Sequence, residues 1–84
     1  MNIRILYFAR LREVFGLGNE TLALPDGSNV EALITCLRAR GGEWQTQLAP
    51  ERAFRVAVDQ DIADMNTALH QGAEVAIFPP VTGG

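Results

Sequence analysis

Lysine is absent from the 84-residue chain; all seven basic side chains are arginine. The protein therefore offers no ε-amine for a Schiff base, for a P-loop phosphate contact or for receiving an isopeptide bond. Cysteine is nearly absent too. With Cys36 alone, an internal disulfide, a Cys-x-x-Cys redox pair, a structural zinc site and a cysteine-ligated iron–sulfur cluster are excluded, and a reducing compartment fits. Basic charge is outweighed, 7 residues against 10 acidic ones for a net charge of −3, so no stripe exists to follow a phosphate backbone and no nucleic acid is expected as partner. Long apolar runs are missing. The segment Ile3 to Ala9 is interrupted by Arg4 and is too short for a signal core or a membrane span, which leads us to expect a soluble, cytoplasmic protein with no membrane partner. Finally, the length excludes a two-lobed enzyme with a cleft between lobes, and a single domain over residues 1–84 is expected to do its work as one module.

What is present is an ordinary core composition, 48% hydrophobic, patterned as strands and helices. Asn2 to Ala9 reads as a first strand in which Ile3, Ile5 and Tyr7 face the core and Leu6 and Phe8 share the opposite face with Arg4. Leu11, Val14 and Phe15 follow at helical spacing, closed by Gly16, and Glu20 to Leu24 returns as a strand. After the turn Pro25-Asp26-Gly27, Ser28-Asn29-Val30-Glu31 has the form of a capping box before a main helix carrying Val30, Leu33, Ile34 and Leu37. Arg38 and Arg40 are expected in its last turn and Gly41-Gly42 at its end. From Glu43 to Arg52 the period fades into a loop with a helical turn, Trp44 and Leu48 tucking onto the core. Phe54, Val56 and Val58 alternate with Arg55, Ala57 and Asp59 as a strand, a minor irregular strand holds Ile62, and a last strand runs from about Glu74 to Phe78. One main helix on one face of a mixed sheet is the α+β arrangement of the β-grasp.

The C-terminal residues carry the chemistry. Pro79 and Pro80 lack N–H groups, stop the sheet ladder and act as a semi-rigid stem, beyond which Val81-Thr82-Gly83-Gly84 spans about 13 Å if extended. Gly83 and Gly84 remove side chains where an active site of another protein must close around the main chain, so the functional atom is expected to be the Gly84 carboxyl. With 8 glycines in 84 residues, two in succession at the end have a composition probability of about 0.01. The second feature is an outward apolar patch: Leu6, Phe8 and Phe78, with Ala57, Ala76 and Ile62, fall by parity on the face without the helix. Unless Trp44 or a loop covers it, the patch makes an anchor beside the tail for whatever partner draws the tail in.

LYFARLREVFG (Leu6 to Gly16) and GAEVAIFPPVTGG (Gly72 to Gly84), with DGSNVEALITCL and VAVDQDIA between them, resemble the small-subunit family of molybdopterin synthase, ubiquitin-like sulfur carriers. The resemblance is weakest from Gly42 to Ala53. It implies a ubiquitin-like β-grasp with a free tail, in which an activating enzyme of the ubiquitin-activating type uses ATP to adenylate Gly84 and a sulfur donor converts the acyl adenylate to a thiocarboxylate. The tail then enters the large subunit, which supplies the catalytic side chains, and sulfur passes to a cyclic pyranopterin precursor. The chain itself would be a carrier that binds no cofactor, within a heterotetramer. Gly83 and Gly84 take the reactive role; Leu6, Phe8, Ile62, Phe78, Pro79, Pro80, Val81 and Thr82 take partner contacts.

Other reactive side chains fit bland roles. Cys36 lies mid-helix on the flank of the apolar stripe and is expected to be a partly buried, inert thiol; His70 is expected in a solvated turn; and Asp59, Asp61 and Asp64 lack the glycine and terminal glutamate of a calcium loop. No metal is expected. Three alternatives remain open: a thiazole-synthesis sulfur carrier, against which the Phe-Pro-Pro stem argues, a ubiquitin-like modifier joined to proteins through Gly84, and an interaction module with an inert tail.

Overall fold

Alternation of large apolar side chains with Arg4 makes β1 (Asn2–Tyr7) a strand with one fully buried face, Ile3, Ile5 and Tyr7, in the computed structural model, which describes residues 1–80. A sharp turn at Ala9, held at φ +52°, then reverses the chain into α1 (Ala9–Phe15). Such a left-handed residue is costly without glycine, and it leaves Phe8 at the outer corner of the sheet. Gly16, at φ +75°, closes α1 by donating its N–H to the Arg12 carbonyl at 3.1 Å. The chain returns as β2 (Asn19–Ala23), antiparallel to β1.

The main helix, α2 (Val30–Arg38), starts one residue away from the expected capping box. Asn29 is the cap, its Oδ1 accepting the Ala32 N–H at 2.9 Å, while Ser28 Oγ donates to the Pro25 carbonyl at 2.7 Å and so belongs to the preceding turn. Val30, Leu33, Ile34 and Leu37 form its buried stripe. Nine residues are too few for an isolated helix to be stable; burial of these four side chains, about 1.5–3 kcal/mol each, holds it to the sheet. Gly41-Gly42 do not end α2 as expected: Ala39 caps it, Arg40 lies beyond its end, and Gly41 at φ +76° turns the chain into α3 (Gly42–Gln47). The helical turn expected in this segment is thus a short helix, and Leu48 after it is fully buried.

β3 (Arg55–Val58) and β4 (Asp61–Ala63) form a hairpin in which Val58 opposes Asp61, and β5 (Glu74–Phe78) completes the sheet in the order β2-β1-β5-β3-β4. β5 is parallel to β1; every other pairing is antiparallel. With α2 packed on one face, this is the expected β-grasp. The aromatic residues close the core at the β1–β2 end. Phe15 and Trp44 stack with centroids 3.8 Å apart, and Tyr7 meets both edge-on. The Tyr7 hydroxyl donates to Glu20 at 2.6 Å, and Arg40, lying 4.4 Å over the Trp44 ring, donates to both oxygens of the same carboxylate at 2.9 and 2.8 Å. Burial, then the Glu20 carboxylate, push the Tyr7 phenol far up; the Arg40 hydrogen bonds hold Glu20 below the usual carboxylate range. Arg40 is therefore an ion-pair partner and not, as expected, a residue of the helix end.

Candidate docking face and tail base

Strand pairing sorts the uncovered face of the sheet into three rows. In the middle row Leu6 lies opposite Ala76, Ala76 opposite Ala57, and Ala57 opposite Ile62, so one apolar line crosses four strands. Toward the end where β5 finishes, Phe78 opposes Arg55, and the Phe8 N–H donates to the Ile77 carbonyl at 3.2 Å, which sets Phe8 beside Phe78. Toward the other end, Arg4 opposes Glu74. Trp44 does not cover this face, because its ring is taken up by Phe15, Tyr7 and Arg40.

The apolar residues of this face are accessible. Phe8 is 47% and Ile62 66% exposed, large values for such side chains, while Leu6, Ala76 and Phe78 are half-buried. Ala57 differs from the expectation: it is only 8% exposed. It still lies outside the core cluster. Its methyl group stands between its cross-strand neighbours Ile62 and Ala76, so larger and adjacent side chains screen it without any helix above. The middle of the face is consequently low, floored by two alanines and walled by Leu6 and Ile62.

Pro79 and Pro80 follow Phe78 directly and are half-buried; both are trans, since the described residues contain no cis peptide bond. Ending the ladder at Phe78 is what residues without an N–H require. The structure thus brings Leu6, Phe8, Phe78, Pro79 and Pro80 to one end and one face, with Ile62 across the sheet on the same face. Val81, Thr82, Gly83 and Gly84 lie outside the described residues.

Ile62 owes its position to a tight turn that sequence reasoning left irregular. Asp59 and Gln60 both have positive φ, +50° and +74°, as a two-residue hairpin of this hand requires, although neither is glycine. Asp59 offsets the strain: its N–H donates to the Glu74 carbonyl at 2.8 Å, Oδ1 accepts the Glu74 N–H at 3.0 Å, and Oδ2 pairs with His70 Nε2 at 2.5 Å. The Glu74 N–H and then His70 hold the Asp59 carboxyl below its usual value, and Asp59 raises that of His70. His70 is exposed as expected, but it is paired. Cys36 is exposed and free, not partly buried as expected, because its position on α2 turns past the buried stripe toward solvent.

Among the described residues, no group of three or more His, Cys, Asp or Glu side chains could hold a metal ion, and no helix is long and apolar enough to cross a membrane. A groove of about 510 Å³ lies away from the docking face, between α2 and the segment before β3, with Ile34, Leu48 and Phe54 in its lining.

Comparison with known proteins agrees with this architecture from end to end. The chain is 38% identical over 82 residues to the molybdopterin synthase sulfur carrier subunit of Escherichia coli (strain K12), covering 98% of this chain and 99% of that one. A solved structure from Pyrococcus furiosus, described as a candidate molybdopterin converting factor subunit 1, superposes with a TM-score of 0.82 at 26% identity over 96% of this chain and 99% of the other. A chain in the complex of subunits 1 and 2 of molybdopterin-converting factor from Helicobacter pylori 26695 has the same fold, with a TM-score of 0.70 at 21% identity over the whole of both chains. The ThiS family model matches residues 5–84. An apolar sheet face, a proline stem at its edge and a family match running through Gly84 lead to one assignment: the chain belongs to the ThiS family.

Proposed function

We propose that this protein is the sulfur carrier subunit of molybdopterin synthase, its Gly84 carboxyl alternating between carboxylate and thiocarboxylate. The observation that carries the reading is continuity: the accessible apolar face of Leu6, Phe8, Ile62 and Phe78 runs into Pro79-Pro80, the stem that precedes the last four residues in sequence. A partner docked on that face stands where it can receive the tail. The relative of 38% identity and nearly equal length supports the same reading.

A carboxylate at neutral pH is anionic and a poor acyl donor, so it must be activated. The activating enzyme joins it to AMP from ATP with release of pyrophosphate, and a donor sulfur then displaces AMP to leave the thiocarboxylate. ATP is bound by that enzyme, and this chain holds no cofactor of its own. Docked in the large subunit, the thiocarboxylate gives its sulfur to a cyclic pyranopterin precursor, and water returns the carboxylate oxygen. Gly83 and Gly84 let the partner close on bare main chain, and the carrier supplies reach and position while the large subunit supplies catalytic side chains. These are reactions of the cytoplasm.

Intact-mass analysis of protein taken from cells with the activating system should show a fraction heavier by the difference between sulfur and oxygen. Fragmentation should place the sulfur on Gly84, and deletion of Gly84 should remove it along with molybdopterin formation, whereas Cys36→Ser protein should keep both. Sulfur mapped to the exposed Cys36 thiol, or molybdopterin made by the deleted form, would overturn the reading.

A further inference from the structure

Charge is unevenly placed around the docking face, although the chain as a whole is acidic at net −3. At the end where the tail leaves, Arg55 faces outward in the same row as Phe78, and Arg10 stands in the first turn of α1, two residues beyond Phe8. Both are exposed, and among the described residues neither lies in an ion pair. The acidic groups near them are otherwise engaged or turned elsewhere: Asp64, which follows β4 beside Arg55, accepts the Asn66 N–H at 2.8 Å, and Glu13 lines the side of α1 that faces Gly18. At the opposite end of the face the outward charges are mixed. Arg4 opposes Glu74, and Asp59 stands at the hairpin with His70.

Neither arginine is explained by the stability of the free chain. A cation in the first turn of a helix meets the positive end of its dipole, and α1 carries no acidic residue there to offset Arg10. On the β5 side Arg55 lies across from Phe78, and on its other side Asp64 is engaged by the Asn66 N–H and the Thr67 hydroxyl. Two unpaired cations flanking the point where Pro79-Pro80 leave the sheet match a surface of opposite charge on the protein that receives the tail.

We propose that the partner entered by the tail carries an acidic rim around the mouth of its channel, which meets Arg10 and Arg55 and orients docking so that the stem points inward. This rests on the reading of the chain as a carrier whose tail enters the large subunit, and it adds the chemistry of the receiving surface. The apolar row of Leu6, Ala76, Ala57 and Ile62 gives contact area without direction; the arginines mark which end of that row faces the mouth.

The test is the association rate with purified molybdopterin synthase large subunit, measured by stopped-flow or surface plasmon resonance across a salt series. Arg55→Glu and Arg10→Glu should each slow association about tenfold at low ionic strength, and the difference should shrink as salt is raised. Arg38→Glu makes the same change in net charge on α2, on the far side of the sheet, and should change the rate less than about twofold. Circular dichroism should show all three folded, and a variant found unfolded is replaced by Arg→Gln at the same site, for which about a threefold slowing is expected. Equal slowing by Arg38→Glu would reduce the effect to net charge and overturn the proposal, as would unchanged rates for both Arg10 and Arg55 variants. If wild type bound no large subunit at any salt while the sulfur still appeared on Gly84, the docking proposal would fail and the carrier chemistry would stand.

Discussion

The two faces of the central strands both carry apolar side chains, and these meet opposite fates. On the inner face, Ile3, Ile5, Tyr7, Val56, Val58, Val75 and Ile77 are buried in the core; on the outer, Leu6, Ala76, Ile62, Phe78 and Phe8 lie under no helix among the described residues. Burying an aliphatic or aromatic side chain is worth about 1.5–3 kcal/mol whichever side it points to, so the outer face holds stabilisation that the isolated chain does not collect. It becomes available on association. The inner face belongs to folding and the outer face is the one proposed for binding, and the strand alternation that separates them lets each be changed alone.

The sharpest way to break that comparison is to place a charge on each side. Ile5→Asp puts a carboxylate in a fully closed site and should cost at least the several kcal/mol of an uncompensated buried charge. A domain of this size has about 5 kcal/mol in total, so circular dichroism should show an unfolded chain. Phe8→Arg and Phe78→Asp, on the accessible side, should leave the thermal midpoint within a few degrees of wild type and weaken large-subunit binding at least about a hundredfold by calorimetry. If Phe8→Arg unfolded the domain, the outer face would be part of the core and the division would be false.

This division was legible in the sequence because it depends on period 2 alone: Arg4 and Glu74 mark the outer face of their strands, and every neighbour follows. The same logic placed Leu6, Phe8, Ile62 and Phe78 correctly. What depended on distant partners was not legible. Arg40 reads as a helix-end residue because its own segment ends a helix, whereas its partner is Glu20, twenty residues earlier in the chain. A signal was present, since Glu20 shares strand parity with Leu22 and Leu24 and so points inward, where a carboxylate needs a cation. The Asp59-Gln60 turn leaves no signal in the sequence because it lacks the glycine that announces a tight hairpin, its strain being offset by Glu74 and His70 from elsewhere in the chain. For Ala57, parity gives the direction and not how much its neighbours screen so small a side chain.

Glu20 allows a finer test within the inner side, where one charged group is admitted by pairing and not by burial of apolar surface. Glu20→Gln removes the charge that joins Arg40 and Tyr7 and should cost about 1–2 kcal/mol at neutral pH in chemical denaturation. Because the folded carboxyl is held below its usual value, that contribution is present above about pH 4.3 and is lost as pH falls through the folded value. Wild type and Glu20→Gln should therefore converge in stability toward pH 3. A gap that stayed constant down to that pH would show the carboxylate is not the source.

The smallest effect is expected at the hairpin tip that carries Ile62 to the outer face, where no helix lies above and exposed polar groups do the holding. His70 Nε2 meets Asp59 Oδ2, while Asp59 Oδ1 accepts the Glu74 N–H. Asp59→Asn keeps an oxygen for Glu74 and removes only the charge facing His70, so it isolates the pair. With its folded value raised by Asp59, His70 adds stability that is fully present below its ordinary value of about 6.5 and is lost as pH rises through the folded value. Asp59, whose own value is lowered, stays ionised throughout that range. The thermal midpoint of wild type should therefore exceed that of Asp59→Asn by more at pH 6 than at pH 8.5, and added salt should narrow the difference at pH 6, since both groups are solvated. In parallel, the imidazole resonances of His70 should titrate above the ordinary histidine value in wild type and return toward it in Asp59→Asn. Equal midpoint gaps at the two pH values, with an unchanged titration, would mean that backbone pairing to β5 alone holds the turn and that the outer face is as independent of charge at this end as the inner face is of solvent.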